Sequence, residues 1–183
     1  MKIMLNNVRL AFPHLFKPEP YKDGEPAYSC LLILAPDHPQ LEELRRAQEA
    51  VGAEKWGRDW PQIKKQLEAK DRLALHDGDT KAKHAGFAGN FFLSARTKPS
   101  ARPTVLDRNK SPLVEADGRP YAGCYVNASI DLYAQKNGYG NGVNTQLRGV
   151  QFARDGDAFG GGAPASADEF AEVAEGADAA DLA

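Results

Sequence analysis

The sequence predicts a mainly β chain. It folds as a small closed or partly open barrel of five to six strands, with a helical insertion at about 37–70 and a disordered acidic tail. Three observations carry this reading. Alternation of apolar and polar side chains at period two recurs in the second half of the chain. Helical spacing is confined to one block after the second strand, whereas a parallel α/β sheet would alternate strands with helices. Finally, Lys and Arg stop at Arg154, and residues 155–183 are rich in Gly, Ala and acids. The expected division is therefore a domain at 1–154 and a tail at 155–183.

Taken in order, "IMLNNVRLAF" reads as a strand with a break or bulge near Asn6 and Asn7. "FPHLFKPEPYKDGEP" is crowded with prolines and reads as a loop. "AYSCLLIL", at 27–34, is a short apolar run and reads as a buried strand. Asp37 offers a side-chain oxygen to cap the helix that follows, where Leu41, Leu44, Ala47 and Val51 recur on one face. Pro61 suits the first turn of a second helix, and Trp56 and Trp60 are expected to pack both helices onto the body. In 91–98 the odd positions Phe91, Leu93 and Ala95 are apolar, and the even ones are Phe92, Ser94, Arg96 and Lys98. "RPTVLD" reads as a further short strand. From Cys124 to Gln135 the alternation is clearest, with Cys124, Val126, Ala128, Ile130, Leu132 and Ala134 inward and Tyr125, Asn127, Ser129, Asp131, Tyr133 and Gln135 outward. "KNGYGNG" is a hairpin connection and "VNTQLRGVQFAR" the returning strand.

With 183 residues and 42% hydrophobic content, the chain can bury one ordinary core. Its mean hydropathy is −0.52, and no apolar run approaches the roughly 18 residues of a membrane helix. The N-terminus lacks the features of a signal peptide. Cys30 and Cys124 lie in apolar segments without paired spacing, as expected of buried thiols in a reducing cytoplasm.

The net charge of −2 conceals a division. Of 25 acids, eight lie in 155–183, leaving 17 against 23 bases in the body, a net of +6. A basic body with an acidic end points to nucleic acid or a charged partner. Catalytic signals are weak, and no catalytic residue, cofactor site or metal site is assigned. His14, His38, His76 and His84 have no ligand spacing, and "GYGNG" lacks the lysine and following helix of a phosphate loop. Asp77 and Asp79 in "HDGDTK" are the candidates for a metal-dependent nuclease, with Asp107 and Glu115 as further carboxylates; an Asp-Gly turn is the ordinary explanation for them.

The nucleic-acid signal is stronger. Lys81, Lys83, Arg96, Lys98, Arg102, Arg108 and Lys110 lie within a stretch whose acid is Asp107, and such a stripe attracts phosphates irrespective of sequence. Aromatics on polar strand faces add to it: Phe92 beside Arg96 and Lys98, and Tyr125 and Tyr133 among polar neighbours. Rings so placed stack on bases, which a duplex hides, so they favour a single strand. The candidate DNA-binding residues are Lys81, Lys83, Phe92, Arg96, Lys98, Arg102, Tyr125, Tyr133, Lys136 and Arg148. In the tail, Ser166 and Glu169 have capping-box spacing, and Phe170, Val173, Ala174 and Ala177 share a helical face. Asp168, Glu169, Phe170, Glu172, Asp178 and Asp181 are therefore the expected partner-binding residues, and the same charges would compete with DNA for the basic body.

The series "VRLAFPHLFKP", "YSCLLIL", "LHDGDTK", "GNFFLSARTKPSARPTVLD" and "GCYVNASIDLYAQ…QLRGVQFARDGDAFGG" resembles the phage single-stranded DNA-binding proteins long catalogued as a domain of unknown function. The resemblance spans residues 1–160 in order. It implies an OB-fold, sequence-independent binding of single-stranded DNA, a non-enzymatic role in phage replication and recombination inside the infected bacterial cytoplasm, and a tail that contacts replication proteins of phage or host. A departure is the ending "DLA", where better-known proteins of this kind end on an aromatic; Phe170 would have to serve instead. An exposed edge strand on such a barrel would allow a homodimer. The alternatives are the nuclease, which would cut single strands with Mg²⁺ or Mn²⁺, and a DNA-mimicking interaction protein, which would not bind oligonucleotides.

Overall fold

The structure, a computed structural model, describes residues 1–160 and 169–173. Its elements in chain order are β1 (Lys2–Glu19), β2 (Ala27–Leu34), α1 (Leu41–Trp56), α2 (Trp60–Ala69), β3 (Leu75–Asp77), β4 (Phe91–Thr97), β5 (Thr104–Leu106), β6 (Tyr125–Asn137) and β7 (Gly140–Arg154). The strand order is β3-β4-β2-β1-β6-β7-β5, and β4 also pairs with β7. That last pairing closes β4, β2, β1, β6 and β7 into a ring, leaving β3 and β5 as short additions outside it. A five-stranded barrel of this kind, closed by a parallel pair between its third and fifth strands, is OB-fold-like, as expected.

The alternation read from the sequence fills the barrel. Val126, Ala128, Ile130 and Leu132 of β6 meet Leu5, Val8 and Leu10 of β1, Leu32 and Leu34 of β2, Leu93 and Ala95 of β4, and Leu147 of β7, all buried in one cluster. Burial at this density is the main stabilising term, at about 1.5–3 kcal/mol for each large aliphatic side chain. Leu41, Leu44, Ala47 and Val51 bury the expected face of α1. Trp56 and Trp60 stack with ring centroids 5.5 Å apart, and Trp60 Nε1 donates to Glu49 at 2.8 Å. The rings hold the helices to each other and to the barrel. Cys30 and Cys124 are free and buried.

Three expectations are corrected. Residues 12–19 are strand, not loop, because β1 changes partner along its length. Its first part pairs with β6 and its second with β2, with register shifts at Leu5/Val8 and Ala11/His14. Bulges at those points turn the strand around the barrel, and Pro13 sits at one of them, where a missing N–H is tolerated. Asp37 does not cap α1. A turn closed by His38 N–H to the Ala35 carbonyl leaves it behind, and the cap position falls to Gln40, which makes no side-chain cap bond. Gln40 instead ties the helix to β1, donating to the Met4 carbonyl at 2.8 Å and accepting from Asn6 N–H at 2.7 Å.

The third correction concerns the boundary at 154. The packed body runs on to Phe159, whose N–H donates to the Ala122 carbonyl at 3.0 Å. Tyr121 Oη donates to Asp155 at 2.6 Å and Arg9 donates to the Asp157 carbonyl at 2.8 Å. Residues 169–173 form no α-helix, and Phe170 and Val173 are exposed. Ser166, Asp168, Ala174, Ala177, Asp178 and Asp181 lie outside the described residues. Among the described residues, no helix is long and apolar enough to cross a membrane.

Candidate nucleic-acid interface

An open groove of about 1210 Å³ lies over the β4–β7 closure. One wall is β4 and the turn after it, bearing Ser94, Arg96 and Lys98. The opposite wall is the β6–β7 hairpin, with Tyr133, Gln135, Asn144 and Gln146, and the ends are formed by Glu25–Ala27 and Asp71–Ala74. These side chains share one surface because alternation on each strand points them away from the core. Register brings them together: Arg96 sits beside Gln146, and Asn144 beside Tyr133.

The chemistry of the groove suits a polyanion bearing flat rings. Tyr133 lines the groove and is 44% exposed. Arg96 and Lys98 are exposed, and among the described residues neither is drawn into an ion pair. Asn144 Nδ2 donates to Gln135 at 2.8 Å, fixing two amides beside the ring. The acids at the groove are Glu25 and Asp71, and Asp71 Oδ1 lies 2.7 Å from His76 Nδ1. Arg72 Nη1 donates to the Tyr139 carbonyl at 2.7 Å, while Val143 N–H donates to the Arg72 carbonyl at 3.0 Å. The helical insertion thus clamps the hairpin that forms one wall.

Of the ten candidate DNA-binding residues, the groove assembles Arg96, Lys98 and Tyr133. Lys136, Arg148 and Arg102 are exposed, one or two residues along the chain from groove-lining Gln135, Gln146 and Ala101. Lys81 and Lys83 lie in the 78–89 segment, with Lys81 Nζ 5.9 Å from the Phe92 ring centroid. Phe92 itself is a correction. It is 3% exposed, because β3 and the 78–89 segment cover the first part of β4 around it, leaving Ser94 and Arg96 further along uncovered. His76 stacks on its ring at 4.9 Å and Phe87 meets it edge-on at 5.3 Å. Ala11, Ile33, Phe87 and Phe92 form a second buried cluster outside the barrel. A ring so enclosed has no face left for a base.

Tyr125 is on the same side of β6 as Tyr133 but outside the groove. Arg154 covers one face of its ring, 3.7 Å from the centroid, and is held there by Asn7 Oδ1 at 2.9 Å. Sequence reasoning missed Arg72, for which no local pattern exists. It placed Gln135 on the polar face beside Tyr133 without choosing it, and passed over Asn144 and Gln146, which the polar phase of β7 does reveal.

The carboxylates considered for a metal do not converge. Asp77 accepts from Asp79 N–H at 2.9 Å and Asp79 accepts from Gly89 N–H at 2.8 Å, so both shape a turn. Asp107 is paired with Arg119 at 2.6 Å, whose hydrogen bond holds the carboxyl below its usual range. Glu115 pairs with Lys17 at 3.4 Å. Among the described residues no group of three His, Cys, Asp or Glu side chains is placed to hold a metal ion.

Comparison with known proteins agrees with this geometry. A sequence model of the family described as "Enterobacter phage Enc34, ssDNA-binding protein" matches residues 1–181. Protein p50 of Acyrthosiphon pisum secondary endosymbiont phage 1 is 48% identical over 177 residues, covering 94% of each chain. Among solved structures, the single-stranded DNA-binding protein of bacteriophage Enc34 in complex with ssDNA superposes with a TM-score of 0.71. It is 28% identical, over 87% of this chain and 89% of that one. The fold is also that of gp2.5, a single-stranded DNA-binding protein of bacteriophage T7, with a TM-score of 0.58, 16% identity and coverage of 97% and 99%.

Proposed function

The chain belongs to the family of the Enterobacter phage Enc34 ssDNA-binding protein, and from that premise we propose that it binds single-stranded DNA without regard to sequence. The observation that carries the reading is the exposed Tyr133 set across the β4–β7 closure from Arg96 and Lys98. Phosphates follow the cations while bases stack on the ring. In this barrel architecture the second and third barrel strands and the hairpin between the fourth and fifth receive oligonucleotides; here those are β2, β4 and the β6–β7 hairpin. The family is one of binding proteins rather than enzymes, so the strand is held and straightened, not cut. Replication and recombination in an infected cell are the processes such binding serves. The acidic tail would carry the contacts to replication proteins of phage or host, and a second copy of the chain is a further candidate partner.

The deciding experiment titrates fluorescent oligo-dT and a matched duplex at two salt concentrations. Oligo-dT is expected to bind more tightly, with an affinity that falls steeply as salt rises. Tyr133→Ala should cost about 1–3 kcal/mol of binding, whereas Arg96→Ala should lower the salt slope by about one. Equal affinity for duplex and single strand would remove the stacking argument. The same titration on a chain lacking 161–183 tests the tail. Loss of its acids should tighten binding, and weaker binding at equal salt would refute the competition. Residues 155–160 must be kept, because 155–159 pack on the barrel.

A further inference from the structure

We infer that the bound strand does not stop at the groove but continues across the outer faces of β4 and β2 to Phe12, whose ring stacks on a further base; this rests on the single-stranded DNA reading above. Phe12 stands at the second bulge of β1 with φ +46, in the left-handed region that bulky residues avoid. The first bulge uses Asn7, at φ +54, a residue type that tolerates this conformation. Asn7 is also held there, its N–H donating to Asn127 and its Oδ1 accepting from Arg154.

Nothing comparable holds Phe12. Phe12 is 46% exposed, with an edge contact of its ring to His84 at 5.1 Å and a tilted one to Phe87 at 6.2 Å. Glycine would make the same turn without strain. An exposed aromatic kept in a strained conformation points to a task outside the fold.

Register supplies the path. Ala11, next to Phe12, pairs with Leu31, and Leu31 pairs with Ser94. Ser94 precedes Ala95, which pairs with Thr145, so Asn144 lies beside it and Tyr133 beyond. This row crosses the strands with an exposed aromatic residue at each end. Four interstrand steps of about 4.8 Å separate them, roughly 19 Å along the curved surface. Leu31 and Ser94 between them are half-buried and leave the surface low. The path also gives Lys83 a place, since it is the chain neighbour of His84 at the Phe12 end.

The test uses the full chain and an oligo-dT of about 20 nucleotides, longer than the roughly 4–16 that one barrel of this type covers. Phe12→Gly should weaken binding roughly 5- to 100-fold without changing the salt slope. Its thermal midpoint should stay near that of the parent, because relief of the left-handed strain offsets the lost contacts. Phe12→Tyr should bind as the parent does. The inference is overturned if Phe12→Gly binds like the parent, or if both variants lose affinity together with folding. A parent chain that does not prefer oligo-dT would instead refute the function proposed above.

Discussion

Cys30 and Cys124 show how a single buried group sets a pH limit on this protein. Burial pushes the Cys30 thiol from 9.0 to about 12, and burial likewise raises Cys124 to about 11. Both thiols are therefore protonated and inert in the folded chain at pH 8, and a thiol reagent should react only on unfolding. The folded values are raised, so the contribution to stability is complete below the ordinary value of 9.0 and is lost as pH rises through 11 to 12. Urea midpoints measured from pH 7 to 11 should be flat and then fall, and a chain with both positions changed to Ala should lose that fall. The apolar surroundings of both cysteines were legible in the sequence. Phe92 was not, because period two assigns a side chain to a face of the sheet but cannot say whether that face is bare. The covering layer, His76 and Phe87, comes from a segment without periodicity.

Among the elements, α1 and α2 were legible because helical spacing and Pro61 act within a few residues of one another. The first half of β1, with its bulge at Asn7, was legible too, but its second half was not, because proline content argues for loop, whereas bulges admit proline to a strand whose partner changes midway. The segment at 155–159 is the other element hidden from the sequence. Its composition belongs to the tail, yet it is seated on the barrel through Tyr121, Arg9 and Ala122. Gly123 makes room for it. Its φ is +103, and an added Cβ would lie 2.1 Å from the Asp157 carbonyl oxygen. Gly123→Ala should therefore cost at least about 1–3 kcal/mol from backbone strain alone, measured by urea unfolding. It should also release 155–159, read as faster amide exchange at Phe159. Unchanged stability and exchange would mean that the segment is not seated as described.

At the scale of the whole molecule, the charge division and the barrel class were both readable, since each sums over many residues. The groove was readable only in part. Arg96, Lys98 and Tyr133 were chosen from alternation, but their assembly depends on β4 meeting β7 across nearly fifty residues of sequence. That meeting is brief. The two strands share two residue pairs, Ala95 with Thr145 and Arg96 with Gln146, while β6 and β7 are paired along their whole length. A cylinder is only as sound as its shortest join, and here the join runs beneath the groove. A strand of DNA laid across it, gripped by Arg96 on one side and Tyr133 on the other, would act as a hoop on a barrel: the cargo would also fasten the container.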